Sequence, residues 1–406
     1  MTLSQKTIEI VKSTAPVLET HGVNITSVFY KNMFTNHPEL LNIFNHANQS
    51  QGRQQTALAN MVYAAAKNID QLEAILPAVQ QVAFKHRGLG VKPEHYPIVG
   101  EHLLQAIKEV LGDAATDEVI EAWAEAYGVI AQAFIGIEEE MYDEAEKQAG
   151  GWKDFKPFKV IDKIPESEVI TSFYLQPADG MSIPNYAPGQ YITIRVQIPG
   201  EKYTLNRQYS LSVAPGREYF RISVKKEKDF EPNGKVSNYL HDHVSVGDQI
   251  EVSAPAGDFH LVEEEMAPIA LISGGVGLTP MMSMLDTLVQ SDTDRAVTFI
   301  HSARNEEVHA FAKDAENLVK QLKKGTYYYG YEKPTNPEGD HHFIGYITEE
   351  FLKDKIANNT VCYVCGPVPF LKNIVQMLAN IGVSKENIRY EFFGPAMEIT
   401  KETAAV

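Results

Sequence analysis

The texture of the chain changes at Gly150-Gly151-Trp152, and that change limits the possible folds more than any other feature. Before it, apolar residues recur at three- and four-residue steps, the spacing of amphipathic helices. Ile8, Val11, Ala15 and Leu18 form one such stripe behind Ser4, a residue suited to cap a helix. Similar stripes run through Leu58-Met61-Val62-Ala65 and Leu103-Leu104-Ile107-Val110-Leu111, and Thr116 precedes a long Ala-rich segment containing Trp123 and Phe134. After the change come short β-rich runs such as Tyr191-Ile192-Thr193-Ile194-Arg195-Val196, punctuated by Pro188-Gly189, Pro199-Gly200 and Pro215-Gly216. That punctuation predicts a small antiparallel barrel or sandwich. Beyond residue 262, strands at 269–272, 296–301 and 361–365 alternate with helical stretches at 281–290 and 370–381, as in a parallel α/β sheet. The expected fold is multidomain: an all-α domain over 1–149, an antiparallel β-barrel domain over 150–262, and a parallel-sheet α/β domain over 263–406.

Charge and cysteine usage exclude several classes. A formal charge of −17 counts against nucleic acid as a partner, because phosphate binding needs clustered Lys and Arg. The two cysteines, Cys362 and Cys365, cannot build a disulfide framework, so a reducing cytoplasm is expected. Their C-x-x-C spacing lies in a strand-like run, where residues three apart point to opposite faces, so a redox dithiol is not expected. Residues 1–10 contain Lys6 and Glu9 and show no signal-peptide core. Residues 266–285 carry no charge, yet their glycines and prolines suit a strand, turn and helix better than a membrane span.

Within the helical region, Pro77 suits a helix start, and Val79, Val82, Ala83 and His86 share one face before Gly88, the expected stop. A lone His on an apolar face is usually a packing residue. It is also what a haem iron needs as an axial ligand. The segments Phe29-Tyr30-Lys31-Asn32-Met33-Phe34, Pro38-Glu39-Leu40-Leu41-Asn42-Ile43-Phe44-Asn45, Lys85-His86 and Val99-Gly100-Glu101-His102-Leu103-Leu104 resemble, with their spacing, the globin half of flavohaemoglobins. The resemblance implies haem b with His86 as its proximal iron ligand and Phe44 at its edge, with Tyr30 and Gln54 on the ligand-binding side. A Tyr hydroxyl and a Gln amide are donors able to stabilise charge on a bound oxygen. It also implies Tyr96 and Glu138 around the proximal histidine, although Glu138-Glu139-Glu140 leaves the register open by a residue.

The later regions resemble ferredoxin–NADP reductase-like modules. Arg207-Gln208-Tyr209-Ser210 matches their R-x-Y-S flavin motif, preceded by Pro188-Gly189-Gln190-Tyr191 and followed by Gly234-Lys235-Val236-Ser237. An Arg fork suits phosphate oxygens and a Tyr ring suits a planar heterocycle, which implies FAD. Ser273-Gly274-Gly275-Val276-Gly277-Leu278-Thr279-Pro280 is a glycine turn entering a helix, a place for a nicotinamide dinucleotide's pyrophosphate. The third glycine of the usual dinucleotide fingerprint is replaced by Pro280, as in the reductase form. Cys365-Gly366-Pro367 resembles that family's second nicotinamide-side turn, and Tyr390-Glu391-Phe392-Phe393-Gly394-Pro395 the segment closing over the flavin. Lys85 and Glu391 are then the residues linked with flavin-to-haem electron transfer; a domain-interface ion pair is their plainer reading.

The resemblance implies an NADH- or NADPH-dependent nitric oxide dioxygenase, with nitric oxide and dioxygen as substrates and no obligate protein partner. A general haem or ferric reductase, and a non-enzymatic oxygen or nitric oxide sensor, are the other readings open. The flavin and nicotinamide motifs count against a pure sensor. Arg304, shortly after a predicted strand, is a candidate for a 2′-phosphate or an ordinary loop residue.

Overall fold

The computed structural model describes residues 3–44, 49, 51–228, 233–262 and 266–393. The helical region packs α1 (Gln5–Ser13), α2 (Ala15–Asn36), α3 (Arg53–Lys67), α4 (Leu76–Leu89), α5 (His95–Leu111) and α6 (Asp117–Lys147). Ser4 caps α1 through Thr7 N–H, and Thr116 caps α6 through Val119 N–H. The stripes converge on one core holding Val11, Ile25, Phe29, Met33, Ile107 and Trp123. Helices α2 and α3 cross closely: a Cβ on Gly22 would stand 3.3 Å from the Cβ of Ala59.

Six antiparallel strands follow in the order β4-β3-β6-β1-β2-β5. They are β1 (Phe155–Pro165), β2 (Ile170–Pro177), β3 (Tyr191–Val196), β4 (Leu205–Ser210), β5 (Phe220–Lys225) and β6 (Gln249–Ser253). A bridge between Leu211 and Ile222 joins the two outer strands, curling the sheet into the expected barrel. Its core of Phe158, Phe173, Ile192, Phe220 and Val252 also takes in Trp152, whose indole N–H donates to Val252 O. The helix α7 (Lys235–His243) lies against it through Val236 and Leu240.

The third region is a parallel sheet ordered β10-β9-β8-β7-β11-β12. Its strands are β7 (Ile269–Gly274), β8 (Val297–Ala303), β9 (Gly325–Tyr331), β10 (Phe343–Ile344), β11 (Val361–Cys365) and β12 (Ile388–Glu391). Helices α8 (Leu278–Gln290) and α9 (Ala312–Gln321) cover one face. Helices α10 (Glu349–Lys355) and α11 (Val368–Asn380) cover the other. Successive residues of β11 alternate between these layers: Cys365 joins one core and Cys362 the other. The two thiols are free, buried and on opposite faces, and burial pushes the Cys362 thiol up to about 12. No helix among the described residues is long and apolar enough to cross a membrane.

Next to β8 lies a buried aromatic cluster. His309 Nδ1 is 3.0 Å from the Tyr331 hydroxyl and its Nε2 is 3.0 Å from that of Tyr327. Its ring stands 4.6 Å from that of His301, whose Nδ1 is 2.8 Å from Ser273 Oγ. A neutral imidazole can serve two hydroxyls, donating to one and accepting from the other. Burial accordingly pushes His309 down to about 4, and His301 well below its ordinary value. Because the folded value lies below the unfolded one of about 6.5, the stabilisation is complete above that pH and lost on acidification. Thermal midpoints are therefore expected to fall between about pH 6.5 and 4, with His309 alone costing on the order of 3 kcal/mol at the acid end. His309→Gln should flatten that slope; a slope identical to the parent's would remove His309 from the acid response.

Candidate functional site

Three helices build the surroundings of His86. His86, on α4, brings Nδ1 to 2.7 Å from Glu138 Oε1 on α6. The Tyr96 hydroxyl, on α5, donates to the same oxygen at 2.6 Å and lies 3.3 Å from His86 Nδ1. Of the three consecutive glutamates, Glu138 is 3% exposed and turns towards His86, while Glu139 and Glu140 face solvent. Burial, and then the negative charge of Glu138, push the Tyr96 hydroxyl far above its ordinary value, so it stays a donor. The helix carrying Tyr96 is held by Tyr127, whose hydroxyl donates to Tyr96 O at 2.6 Å across the bare face of Gly100. With Nδ1 engaged by a carboxylate, Nε2 is the nitrogen left for a metal.

On the other side of the helical core, Tyr30 is 8% exposed among aromatic rings. Its ring lies 5.7 Å from Phe34 and 5.8 Å from Phe44. Burial holds its hydroxyl well above the ordinary range, so the proton is retained. Gln54 begins α3, and its Oε1 is buried without a hydrogen-bond partner. An orphaned amide atom in an otherwise packed core marks a place for a polar ligand atom.

The expected stop at Gly88 needs correction. Helix α4 runs to Leu89 and ends at Gly90, whose φ of +80° is the left-handed cap. Gly88 lies inside the helix because its missing side chain lets α4 meet the barrel. A Cβ there would stand 3.2 Å from Thr193 Oγ1, 3.4 Å from the Tyr191 ring and 3.6 Å from Gln208 Nε2. The helix bearing His86 therefore rests on the strands bearing the flavin motif. Arg87 adds a tie through its guanidinium to Pro255 O, and Tyr142 donates to Val91 O at 2.9 Å just past the helix end.

On β4, Arg207 and Tyr209 alternate with Gln208 and Ser210. Arg207 Nη1 donates to Asn206 O at 2.7 Å, and burial lowers its guanidinium's affinity for protons. Gln208 is exposed towards α4, whereas Ser210 is buried opposite Tyr191. Gly234 precedes α7, and Ser237 Oγ donates to Gly234 O at 3.2 Å while accepting from Glu227 N at 3.3 Å. Val236 is 1% exposed, so its side chain belongs to the barrel core. The hydroxyls of Tyr191 and Thr193 are buried without a well-formed hydrogen bond.

The sheet's strand order reverses between β7 and β11, the switch point at which open α/β sheets bind nucleotides. Both glycine turns lie there. Gly277 stands against Cys365 O, where a Cβ would come within 2.2 Å, while nothing lies within 4 Å of a Cβ built on Gly275. Leu278, Thr279 and Pro280 turn their side chains inward, and the Thr279 hydroxyl donates to Val276 O at 3.1 Å. Cys365 is fully buried, with Gly366 and Pro367 leading into α11. Val276 is half-buried, and Arg304 is exposed just past β8.

Glu391 ends β12, and its carboxyl interacts electrostatically with Lys85 of α4 and with Asp258 of the barrel. Burial, reinforced by Asp258 and opposed by Lys85, pushes Glu391 up to about 7. Burial lowers the Lys85 ammonium, against the pull of both carboxylates. Beside them lies a cavity of about 180 Å³ lined by Gln81, Asp258, Phe259, His260, Arg389 and Tyr390. All three regions meet there. Phe392 packs half-buried on the β12 side of the sheet and Phe393 is exposed. Gly394 and Pro395 lie outside the described residues. Asp258, Gly88, Arg87 and Asn206 are the positions that motif reading misses, since each acquires its meaning only from contact with another domain.

These residues fit the implied groups. Haem finds one histidine with a backed Nδ1 and an orphaned Gln54 oxygen; FAD finds Arg207 and Tyr209 on one face of the β3–β4 pair, and Ser210 with the orphaned Tyr191 and Thr193 hydroxyls on the other. Glu138→Ala should weaken haem binding about 10–100-fold, the usual effect of removing a partner behind a metal-ligating histidine. Transfer of haem to an apoglobin acceptor measures it, and transfer at the parent rate would deny Glu138 that role.

The chain matches three family profiles: Globin over residues 27–134, Oxidoreductase FAD-binding domain over 157–261, and Oxidoreductase NAD-binding domain over 271–376. It is 57% identical over 402 residues to a flavohemoprotein of Bacillus thuringiensis subsp. konkukian, covering 98% of this chain and all of the relative. A flavohemoprotein A of Dictyostelium discoideum is 49% identical over 98% of this chain and all of that relative. Among solved structures, a flavohemoglobin from Malassezia yamatoensis with bound FAD and haem superposes with a TM-score of 0.85 at 29% identity, covering 97% of this chain and 100% of that one. The FAD/NAD-binding domain of a nitric oxide dioxygenase from Vibrio cholerae matches 60% of this chain and 100% of its own, at a TM-score of 0.56 and 39% identity. With a globin that binds haem and an oxidoreductase that binds FAD and NAD on one continuous chain, this protein belongs to the flavohaemoglobin family.

Proposed function

We propose that the chain is a nitric oxide dioxygenase, converting nitric oxide and dioxygen to nitrate with electrons from NADH or NADPH. The observation that carries this reading is the buried Glu138 carboxylate, 2.7 Å from His86 Nδ1. A carboxylate accepting that proton raises the basicity of the ligand nitrogen, which favours redox chemistry at iron over simple storage. When bound, the nicotinamide supplies a hydride, FAD divides it into single electrons, and haem supplies the iron at which oxygen is reduced.

The chain's own residues supply placement and charge. His86 would hold the iron through Nε2, oriented by Glu138 and Tyr96. Tyr30 and Gln54 would donate hydrogen bonds to negative charge developing on the distal ligand. Burial keeps the Tyr30 proton in place for this. A half-turn of the Gln54 amide puts Nε2 where its orphaned Oε1 now sits. Arg207 would face the FAD pyrophosphate, with Tyr209 along the flavin and Ser210, Gly234 and Ser237 beside it. The turns at Gly274–Gly277 and Cys365–Pro367 would receive the dinucleotide. Lys85 and Glu391 would set the potential between flavin and haem. The working units are taken as 1–149, 150–262 and 263–406. The free cysteines favour a cytoplasmic setting.

Purified holoprotein is expected to consume nitric oxide in step with oxygen and NADH and to yield nitrate. Aerobic NADH oxidation indifferent to nitric oxide would favour the general haem-reductase reading instead. Tyr30→Phe should speed oxygen dissociation about tenfold, the loss of one hydrogen bond of about 1.4 kcal/mol. An off-rate equal to the parent's would remove Tyr30 from the distal role.

A further inference from the structure

The seam between the helical domain and the barrel contains a polar clamp outside the flavin motif. Asn206, at the start of β4, is 2% exposed. Its Nδ2 donates to the main-chain carbonyls of Asn42 at 3.0 Å and Ile43 at 3.3 Å, and its Oδ1 accepts from Arg195 Nε at 3.3 Å. Thr204 adds a second tie. Its N–H donates to Asn42 Oδ1 at 2.9 Å, and its hydroxyl lies 3.2 Å from that oxygen. These contacts join residues more than 160 positions apart, so they exist only in the assembled domains.

The clamp touches both sides of the candidate haem cleft. Asn42 ends the short helical turn Pro38–Asn42, and Phe44 two residues later packs against Tyr30. Arg195, the cross-strand partner of Asn206, lays its guanidinium over Phe155 at 3.5 Å. Its Nη2 lies 3.3 Å from a Cβ position on Gly90, the residue that ends the His86 helix. Asn206, which immediately precedes Arg207 on β4, thus ties that strand to the Phe44 segment directly and to the end of α4 through Arg195. Its chemistry is specific. A buried primary amide donates twice and accepts once, whereas a carboxylate would set a third oxygen against two carbonyls and an aliphatic chain would leave them unpaired.

We propose that Asn206, together with Asn42, is a positioning residue for electron transfer from flavin to haem, fixing the flavin strand against both edges of the haem cleft. The proposal rests on the electron path of the proposed function and is independent of its nitric oxide chemistry. Small displacements between donor and acceptor have large effects on rate. The clamp's hydrogen bonds oppose sliding of β4 along the 42–44 segment.

The test mixes anaerobic holoprotein with NADH and follows flavin bleaching and haem reduction separately by stopped flow. Asn206→Asp should slow haem reduction about tenfold while flavin reduction by NADH keeps the parent rate. Asn42→Ala should slow the same step, and Asn42→Asp, which keeps the acceptor for Thr204, should restore it. Hydrogen exchange of residues 38–44 and 204–206 reads the clamp directly and should accelerate in Asn206→Asp and Asn42→Ala. Faster exchange with haem reduction at the parent rate overturns the proposal. So does equal slowing of both electron steps, which marks general damage to the barrel. Failure of the parent protein to reduce its haem with NADH removes the electron path and the clamp's role with it; failure of nitric oxide turnover alone leaves the result standing.

Discussion

The close approach of α4 to the β3–β4 strand pair is the constraint on which the arrangement of the site depends. His86 and Gly88 are two residues apart on one helix. The first faces Glu138 in the helical core; the second has no side chain and rests on Tyr191 and Thr193 of the barrel. A helix is stiff over half a turn, so a carbonyl's width of movement at the barrel is passed on to the imidazole. Joining the two domains at Gly88 therefore sets the distance between His86 and the strand of Arg207 and Tyr209 more tightly than a flexible linker could. The C-terminal cap at Gly90, beside Asp154 and Arg195, stops the helix before it collides with the barrel.

How much of this was legible in the sequence follows from how local each signal is. Caps at Ser4 and Thr116, the strand of Val361–Cys365 and the glycine turns all depend on neighbours within a few residues, and the chain displays them. The separation of Cys362 from Cys365 followed from strand alternation alone, because a period of two cannot bring residues three apart to one face. The run Glu138-Glu139-Glu140 could not be resolved that way. Which glutamate turns inward depends on the rotation of a 31-residue helix against α4 and α5, a tertiary quantity. Gly88 misled for the same reason. A glycine near a helix end looks like a cap, and only the barrel surface shows that it is a contact. Asp258 and Asn206 belong to no motif; their partners lie on other domains.

The junction at Glu391 is a different kind of contact from the one at Gly88. Gly88 meets the barrel by close packing, which tolerates little movement. Lys85, Asp258 and Glu391 meet beside a cavity, through charges carried by three separate domains. Glu391 and Asp258 both interact with the buried Lys85 ammonium, and burial pushes the Glu391 carboxyl up to about 7. Charge interactions of this type fall off gradually with distance. Under the proposed function they suit the side on which the nicotinamide domain would admit and release a dinucleotide, while the packed side would hold haem and flavin in register.

Glu138 meets two donors through a single oxygen. Oε1 accepts from His86 and from Tyr96 at once, so the carboxylate's charge is divided between two donors. Tyr96 keeps its proton because burial and that same carboxylate raise its hydroxyl far above the ordinary range. A lone carboxylate would push the imidazole as far towards imidazolate as the site allows, and a backbone carbonyl would push it very little. The Tyr96 bond sets a value between those limits, and Tyr127 fixes it by holding the Tyr96 backbone. Under the proposed function this intermediate push has a reason. An intermediate push from His86 would leave a haem iron reducible by a flavin while still giving Tyr30 and Gln54 negative charge to stabilise on the other side. Too strong a push opposes reduction, and too weak a push leaves the distal donors with no charge to stabilise.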